Sequence, residues 1–265
     1  MTQTLLISLS VFIIGLIMTM SGRGGGNFYV PLLVLAGLGM HQAATMGQFI
    51  LMIAALTGMV VFNRKKMVDW KLALLIDPPT DVMAFVGGYF SSYISGSSLK
   101  IVLSVFLVLA GFSMLFKVRK RPVYSGKRFG YWHRNFNGEE YVVNLWYTIP
   151  VTAFAGLVAG AVGISCGSFK IPLMVLLCGV PMHIAVGTSS AMIAATAVMG
   201  FIGHTIQGHF EPTYALPLAI AAVLAGIFGG KMALRTNPRY LKQIFAATTF
   251  IAAVLMAISA LSATS

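Results

Sequence analysis

Charged residues are scarce in this chain. Only 9% of its 265 residues are Asp, Glu, Lys or Arg, whereas 58% are hydrophobic and the mean hydropathy is +0.87. A soluble globular domain carries roughly a quarter charged residues, because its surface must be solvated. The scarcity of charge therefore excludes a soluble domain and indicates an integral membrane protein.

Strict alternation of apolar and polar residues is also missing, and the hydrophobic runs are long. A membrane β-barrel needs strands that alternate with a period of two residues, so we expect an all-α membrane protein. The first apolar run, near residues 4–20, lacks both a basic start and a small-residue cleavage site. It is therefore not expected to be a removed signal peptide.

Several kinds of chemistry have no signal in the sequence. The two cysteines, Cys166 and Cys178, give neither a disulfide framework nor a metal-binding spacing. The nucleotide-binding pattern G-x-x-x-x-G-K-[ST] does not occur. We expect no cofactor and no metal, and a transmembrane gradient as the energy source. The net charge of +12 lies mainly in loops at the ends of apolar segments, which favours contact with lipid over a nucleic-acid partner.

Ten apolar segments can be distinguished. A helix that crosses the hydrocarbon core, about 30 Å thick, needs about 20 residues. Two of the ten segments are too short for that, and we interpret them as half-helices that form hairpins with the preceding segments. The ten are approximately 4–20, 28–39 (short), 42–62, 71–95, 99–117, 145–162, 169–180 (short), 184–206, 213–235 and 239–261.

Two glycine-rich stretches interrupt the apolar runs. The first is SGRGGGNFYVP, residues 21–31, and the second is GISCGSFKIP, residues 163–172. An offset of 141 residues aligns Gly22 with Gly163 and Pro31 with Pro172. Irregular backbone within a membrane persists only inside protein or beside a water-filled cavity. We interpret the two stretches as facing halves of one binding site.

The correspondence extends beyond these stretches. After a one-residue insertion the offset becomes 142, which aligns His41 with His183 and Leu99 with Leu241. The sequence thus predicts two five-segment repeats, residues 1–117 and 145–265, each starting with a broken helical hairpin. Because each repeat has an odd number of segments, the second should be inverted relative to the first.

The basic residues support this topology independently, since they were not used to define the segments. When successive segments cross the membrane in alternating directions, fifteen of the eighteen Lys and Arg residues fall on one side of the membrane. The exceptions are Arg23, Lys100 and Lys170. Cytoplasmic loops carry such an excess of Lys and Arg. We therefore place that side in the cytoplasm and both termini outside the cytoplasm. The protein is expected to lie in the inner cell membrane.

Residues 118–144 form the linker between the repeats. Within it, Asn137-Gly138 separates two runs rich in strand-forming residues. Asn-Gly between such runs is the strongest short hairpin signal, because a type I′ turn needs a positive φ at both central residues. We predict a cytoplasmic β-hairpin.

Two basic residues lie at the interruptions, Arg23 in the first and Lys170 in the second. A charge at membrane depth is costly and usually functional, and the starts of helices add positive partial charge. We expect an anion to bind there, between the amides of Gly24, Gly25, Gly26 and Asn27 and those of Cys166, Gly167, Ser168 and Phe169. The alternative is that Arg23 extends to the cytoplasmic surface and Lys170 pairs with an acid.

Polar residues near the start of the third segment of each repeat are further candidates. Gln48 aligns with Ser190, and Thr188 and Ser189 precede Ser190 in the motif GTSSA. Hydroxyl and amide groups beside an interruption can donate to an oxyanion. N-capping or packing of small residues between helices explains these residues equally well.

Asp77 and Asp81 flank Pro78-Pro79 in the fourth segment, where the second repeat has Ala219 and Val223. They are candidates for coupling transport to H⁺ or Na⁺. We favour a simpler interpretation, in which Asp77 caps a cytoplasmic helix start and proline occupies its first turn. Cys166, which replaces Gly25 of the first repeat, is interpreted mainly as a small packing residue.

The motifs G-x-G-G-G-x-x-x-V-P, from Gly22, and G-x-x-C-G-x-x-x-I-P, from Gly163, resemble the TauE/SafE sulfite exporter family, as does A-V-G-T-S-S, from Ala185. The resemblance covers nearly the whole chain. It implies a transporter of sulfite, thiosulfate, sulfoacetate or a similar sulfur-containing anion. The matching residues that would line the substrate path are Gly24, Gly25, Gly26, Pro31, Gly163, Gly167, Pro172, Gly187, Thr188 and Ser189.

The chain departs from that pattern at Arg23 and Lys170, where apolar residues are commoner, and at TMGQF, which replaces A-V-G-T-S in the first repeat. These departures favour a fully charged anion. We therefore expect a non-enzymatic secondary transporter, an exporter, that works by alternating access in the lipid bilayer. The alternatives are an anion channel and a sulfur-relay or thiol protein using Cys166, although no general base is placed near that thiol.

The predicted sidedness can be tested at the C-terminus. A single cysteine introduced at Ser265 of a variant lacking both native cysteines should react with a membrane-impermeant maleimide added outside the cell. The physical reason is the excess of Lys and Arg in the loops on the opposite side. Labelling only after the cytosol is opened would contradict the topology.

Overall fold

The structure, a computed structural model, describes residues 2–22, 24–115 and 129–237, together with residues 240, 243, 247 and 254. Most described residues are helical, and one small antiparallel sheet accompanies the helices. The segment predicted at 239–261 lies outside the described residues apart from the four isolated positions. The same holds for residues 118–128 of the linker.

The first part of the chain forms six helices. They are α1 Thr2–Met20, α2 Gly26–Leu35, α3 Met40–Arg64, α4 Trp70–Ile76, α5 Pro78–Phe90 and α6 Gly96–Leu115, with one turn of 3₁₀ helix at Ser91–Tyr93. The predicted interruption after segment 4–20 is found between α1 and α2. The fourth segment, predicted as continuous over 71–95, is instead divided at Asp77, where Pro78 starts a new helix because its ring is compatible with a first helical turn.

The second part follows the same order. Its helices are α7 Leu145–Val162, α8 Gly167–Pro172, a π-helical turn Leu173–Leu177, α9 Met182–Ile206 and α10 Pro212–Arg235. Here the fourth segment is one unbroken helix. Helices α3 and α9 have 25 residues each and begin 142 residues apart, as the offset between the two halves of the sequence requires.

The helices are those of a membrane protein. Four of them are long and apolar enough to cross a membrane, namely Met40–Arg64, Leu145–Val162, Met182–Ile206 and Pro212–Arg235. Many large apolar side chains on the outer faces are exposed, for example Leu5, Phe154 and Leu216. Such surfaces suit lipid rather than water.

The two parts of the chain are intertwined. The most extensive helix pairs are α1 with α10, α5 with α7, and α3 with α9 at the centre. Thus the first helix of each part packs on the fourth segment of the other. Small residues allow this close approach: a Cβ atom at Gly87 would lie 2.1 Å from Leu157 O, and one at the aligned Gly229 would lie 2.5 Å from Leu16 O.

The linker contains the predicted hairpin. Strand β1 Tyr131–Phe136 pairs antiparallel with β2 Glu139–Asn144, and Phe136 lies opposite Glu139. The turn residues Asn137 and Gly138 have φ values of 52° and 81°. The prediction of a hairpin with positive φ at both turn positions is confirmed.

Asp69, between α3 and α4, holds the hairpin against the helices. Arg134 donates two hydrogen bonds to the Asp69 carboxylate, at 2.8 and 3.0 Å, and the Tyr141 hydroxyl donates a third. The same carboxylate caps α4 by accepting from Lys71 N at 3.0 Å. The amide of Asp69 donates to Thr188 Oγ1 of α9 at 3.0 Å. The side chain and the backbone amide of Asp69 together therefore join the linker, α4 and α9.

The ionisation of Asp69 is favoured by these partners. Burial of the carboxyl acts to raise its pKa, but the hydrogen bonds from Arg134, Tyr141 and the Leu72 amide outweigh burial and hold the pKa below its usual value. A carboxyl group with a lowered pKa in the folded state stabilises the fold above its unfolded pKa. That stabilisation is lost as the pH falls through the folded pKa.

Replacing Asp69 by Asn should preserve the helix cap but lose the charge that Arg134 binds. We expect the free energy of unfolding in detergent to fall by about 1.5–3 kcal/mol at neutral pH, the range for a hydrogen bond to a charged group. The deficit relative to wild type should shrink at acidic pH, where wild-type Asp69 is protonated as well. Glu140→Gln, an exposed carboxyl change in the same hairpin, serves as the control. A deficit that does not depend on pH would contradict this role.

Candidate functional site

The two interruptions are in contact. We call residues 21–25 the first break and residues 163–166 the second break. Gly26, the first residue of α2, lies so close to the second break that a Cβ atom there would be 2.6 Å from Ser165 N and 3.1 Å from Ser165 Cβ. The helix that follows the first break thus begins against the second one.

Each break also packs against the other half of the chain. Gly22 has φ 73°, and a Cβ atom there would lie 2.8 Å from Val186 Cα of α9. Gly163 has φ 81°, and its Cβ atom would lie 2.4 Å from Ala44 Cα of α3. Ala44 and Val186 are aligned by the offset of 142. Both positions require glycine for two reasons: the backbone is left-handed, and a side chain would clash with the neighbouring helix.

Both breaks lead directly into helix starts. In α2 the amides of Phe28 and Tyr29 bond back to Gly25 O at 3.0 and 3.3 Å. In α8 the amides of Phe169 and Lys170 bond to Cys166 O, both at 3.0 Å. The amides before them have no acceptor within their own helix. Gly167 N donates instead to Ser165 Oγ at 3.1 Å.

Lys170 is fully buried and forms an ion pair with Asp77. Its Nζ also donates to Thr196 Oγ1 of α9 at 2.8 Å. The alternative that Lys170 pairs with an acid is therefore the one found. Asp77 occupies the N-cap position of α5, as the favoured interpretation expects, but its side chain makes no capping hydrogen bond and is directed to Lys170. Proline in the first turn of α5 is confirmed.

Asp81 belongs to the same group of side chains. Thr196 Oγ1 is 2.8 Å from Asp81 Oδ1 and 2.9 Å from Met192 O. Within the described residues, Asp81 has no basic partner at ion-pair distance. The ammonium of Lys170 thus pairs directly with Asp77 and is linked to Asp81 only through Thr196. The sequence suggested the two aspartates but not Thr196, whose only signal is a hydroxyl within an apolar helix.

The polar residues of α3 and α9 are buried and lie beyond the first helical turn. Gln48 Nε2 donates to Ala159 O at 3.3 Å and lies 3.5 Å from Ile164 O, so it ties α3 to the end of α7 and the second break. Ser190 Oγ donates to Ala55 O at 3.3 Å. N-capping is excluded for Thr188 and Ser189, as for Gln48 and Ser190, since α9 begins at residue 182 and α3 at residue 40.

Three buried polar atoms near the centre have no hydrogen-bond partner among the described residues. They are Gln48 Oε1, Ser189 Oγ and the Tyr29 hydroxyl. Tyr29 was not singled out from the sequence. Its hydroxyl lies over the first break, since a Cβ atom at Gly25 would be 2.5 Å from it. The sequence offset of 141 residues is the signal that could have indicated Tyr29, because it aligns Tyr29 with Lys170.

The remaining candidates fall into two groups. Cys166 is buried, and its thiol donates to Ala155 O at 3.5 Å, which agrees with a packing role. Asn27 is buried in the first turn of α2, and Gly24 packs near Leu51. Arg23 lies outside the described residues. Ser168 is part of α8, but its side chain also lies outside them.

Apolar spanning helices, two contacting breaks and a buried charged network define a class of protein: a membrane transporter with discontinuous helices. The model of the sulfite exporter TauE/SafE family matches residues 7–256, and the chain belongs to that family. The family consists of membrane transporters and not of enzymes, so the expectation of a non-enzymatic protein is confirmed.

Two proteins of Bacillus subtilis (strain 168) are similar to the chain. The first, "Probable membrane transporter protein YunE", is 28% identical over 236 residues, which cover 85% of each chain. The second, "Probable membrane transporter protein YdhB", is 30% identical over 110 residues, covering 42% of this chain and 45% of that protein. No solved structure matches the chain.

The pairing of Lys170 with Asp77 can be tested by a double-mutant cycle. Lys170→Met and Asp77→Asn should each lower the free energy of unfolding by about 3–5 kcal/mol, the cost of leaving one buried charge without its partner. The double variant should lose clearly less than the sum. Denaturant unfolding in detergent measures the stability of wild type, both single variants and the double variant. Lys71→Met, a change of an exposed cation, serves as the control. Additive losses would show that the two side chains act independently.

Proposed function

We propose that this protein is a secondary transporter, working as an exporter, for a small sulfur-containing anion such as sulfite, thiosulfate, sulfoacetate or another organosulfonate. Membership of the family supports a transporter, and the contact between the two breaks is the observation that carries the site. The anion binds where the start of α2 meets Ser165. Helix starts attract anions through their amides and their dipole.

The donors of this site come from both halves of the chain. The start of α2 contributes from the first half, since Gly26 lies against Ser165 of the second break. The hydroxyls of Tyr29 and Ser189 are buried and have no partner in the described part of the chain, so each is free to donate. Arg23 supplies the positive charge for the anion, because Lys170 is already paired with Asp77. This division revises the expectation that both cations meet the anion directly.

Alternating access follows from the intertwined arrangement. The proposed repeats, residues 1–117 and 145–265, are inverted relative to each other, with residues 118–144 as a cytoplasmic linker and both termini outside. The fourth segment of each half packs on the first helix of the other half, α10 on α1 and α5 on α7, which supports this arrangement. Rocking of one unit against the other would open the site to each side in turn.

Two other functions are disfavoured. An anion channel would conduct without coupled counter-ion flux, and the buried Asp77 and the partly exposed Asp81 give the chain carboxylates suited to coupling. A thiol enzyme or sulfur relay needs an accessible, activated Cys166, but this thiol is buried against Ala155 O. Cys166→Ala should therefore keep substantial transport, whereas a relay would lose all activity.

Anion binding to the purified protein tests the proposal. Sulfite, sulfate, thiosulfate, sulfoacetate and taurine should be compared by calorimetry, and we expect at least one sulfur oxyanion or organosulfonate to bind. Arg23→Ala should weaken that binding about tenfold to a hundredfold, since a hydrogen bond to a charged group contributes roughly 1.5–3 kcal/mol. Arg23→Lys should recover part of the loss, because it keeps the charge but not the planar fork.

The matched control is Lys71→Ala, which removes an exposed cation from α4. It should leave the affinity unchanged. Folded Arg23→Ala protein that binds the anion with wild-type affinity would place the site elsewhere.

A further inference from the structure

The charged side chains around Lys170 form a network that the anion site does not use. We call Lys170, Asp77, Thr196 and Asp81 the Lys170 network. Its members come from α8, from the joint between α4 and α5, from α9 and from α5. Lys170 is fully buried, Asp77 and Thr196 are nearly so, and Asp81 is partly exposed. The network thus has a closed end at Lys170 and an open end at Asp81.

Its charges do not balance. With every group ionised, two carboxylates and one ammonium leave a net charge of −1. Unbalanced charge in a poorly solvated interior is costly, and the usual remedy is a counter-ion or neutralisation of one group. The network therefore has room for one further positive charge.

Geometry favours a proton as that charge. The Lys170 ammonium already occupies the position between Asp77 Oδ1 and Thr196 Oγ1, where a metal cation would bind. A hard cation such as Na⁺ needs a shell of oxygen ligands, whereas a proton needs one oxygen and no space. Within the described residues, no group of three or more His, Cys, Asp and Glu side chains forms a metal site.

Thr196 provides the means to accommodate the proton. Its single hydroxyl hydrogen has two near acceptors, Asp81 Oδ1 at 2.8 Å and Met192 O at 2.9 Å, and a more distant third, Asp77 Oδ1 at 3.5 Å. When Asp81 is ionised, the hydroxyl donates to it. When Asp81 is protonated, Asp81 donates to Thr196 Oγ1 and the hydroxyl turns to Met192 O. Both states satisfy every hydrogen bond, and Lys170 keeps its bond to Thr196 in each.

Few other titratable groups face the network. The thiol of Cys166 is near enough to interact with Lys170 and both aspartates, but it donates to Ala155 O. Helix α7 presents Thr152, bonded to Ile76 O, and no ionisable side chain at this level. His204, two turns further along α9, donates from Nε2 to Gly160 O and contacts Ser91.

We propose that the Lys170 network holds one exchangeable proton, carried on Asp81, and that this proton rather than Na⁺ is the coupling ion. The inference rests on the proposed transport function. Lys170 lies in α8, one turn after the second break, so neutralising the network removes negative charge beside the anion site. Proton and anion therefore promote each other's binding, and the effect is reciprocal.

Infrared difference spectroscopy tests the protonation without any substrate. A pH step on purified protein should reveal the carbonyl band of a protonated carboxylic acid that grows on acidification. Asp81→Asn should abolish this band and Glu139→Gln, an exposed carboxyl change, should not. Thr196→Val, which removes the alternating donor, should shift the titration. An Asp81→Asn protein that keeps the full band would overturn the proposal.

Thiosulfate and sulfite affinities tested at several pH values measure the coupling. Wild-type affinity should rise on acidification, by at most about tenfold per pH unit, the limit for one linked proton. Asp81→Asn mimics the protonated acid, so its affinity should lose this dependence and stay at the level that wild type reaches in acid. Replacing Na⁺ by choline should change neither protein. A requirement for Na⁺ would contradict the inference.

The two proposals can fail separately. If neither anion nor any other tested sulfur compound binds, the proposed substrate class is wrong, while the infrared titration still decides whether Asp81 carries a proton. If the anion binds with equal affinity in acid and alkali, the transport function stands and the coupling by this network is wrong.

Discussion

The ion pair between Lys170 and Asp77 is the interaction on which the rest of the structure depends. It joins α8, which follows the second break, to the point where the fourth segment of the first half is divided. An unpartnered charge at that depth would be far more costly than the pair. The broken geometry of α8 and the division between α4 and α5 are therefore stabilised together, and Thr196 connects both to the central helix α9.

A second constraint comes from the backbone of the breaks. Gly22 and Gly163 permit turns that no larger residue would adopt without strain, and each is pressed against the other half of the chain. The breaks are therefore held by packing between the halves and not by their own segments. This explains how irregular backbone can persist between apolar helices.

Local signals in the sequence predicted local structure well. The helix limits near 145–162 and 213–235 agree with α7 and α10, and Asn137-Gly138 forms the expected turn because its chemistry is decided within a few residues. The local pattern places Asp77 correctly at a helix start but does not indicate its partner Lys170, which is 93 residues away. Gln48, Thr196 and Tyr29 likewise acquire their surroundings only through packing, which residue spacing alone does not specify. The roles of Arg23 and the breaks in binding remain predictions.

Tyr29 and Lys170 occupy aligned places, yet one is neutral and the other is charged. Asp77, Asp81 and Thr196 form the polar network of Lys170, whereas the positions aligned with these three in the other half are the apolar Ala219, Val223 and Ala54. The two halves thus share a backbone plan but differ in polarity. In a carrier that rocks between two orientations, such a difference removes the energetic equivalence of the inward-open and outward-open forms. The empty carrier would then rest facing one compartment, and loading from the two sides would proceed at unequal rates.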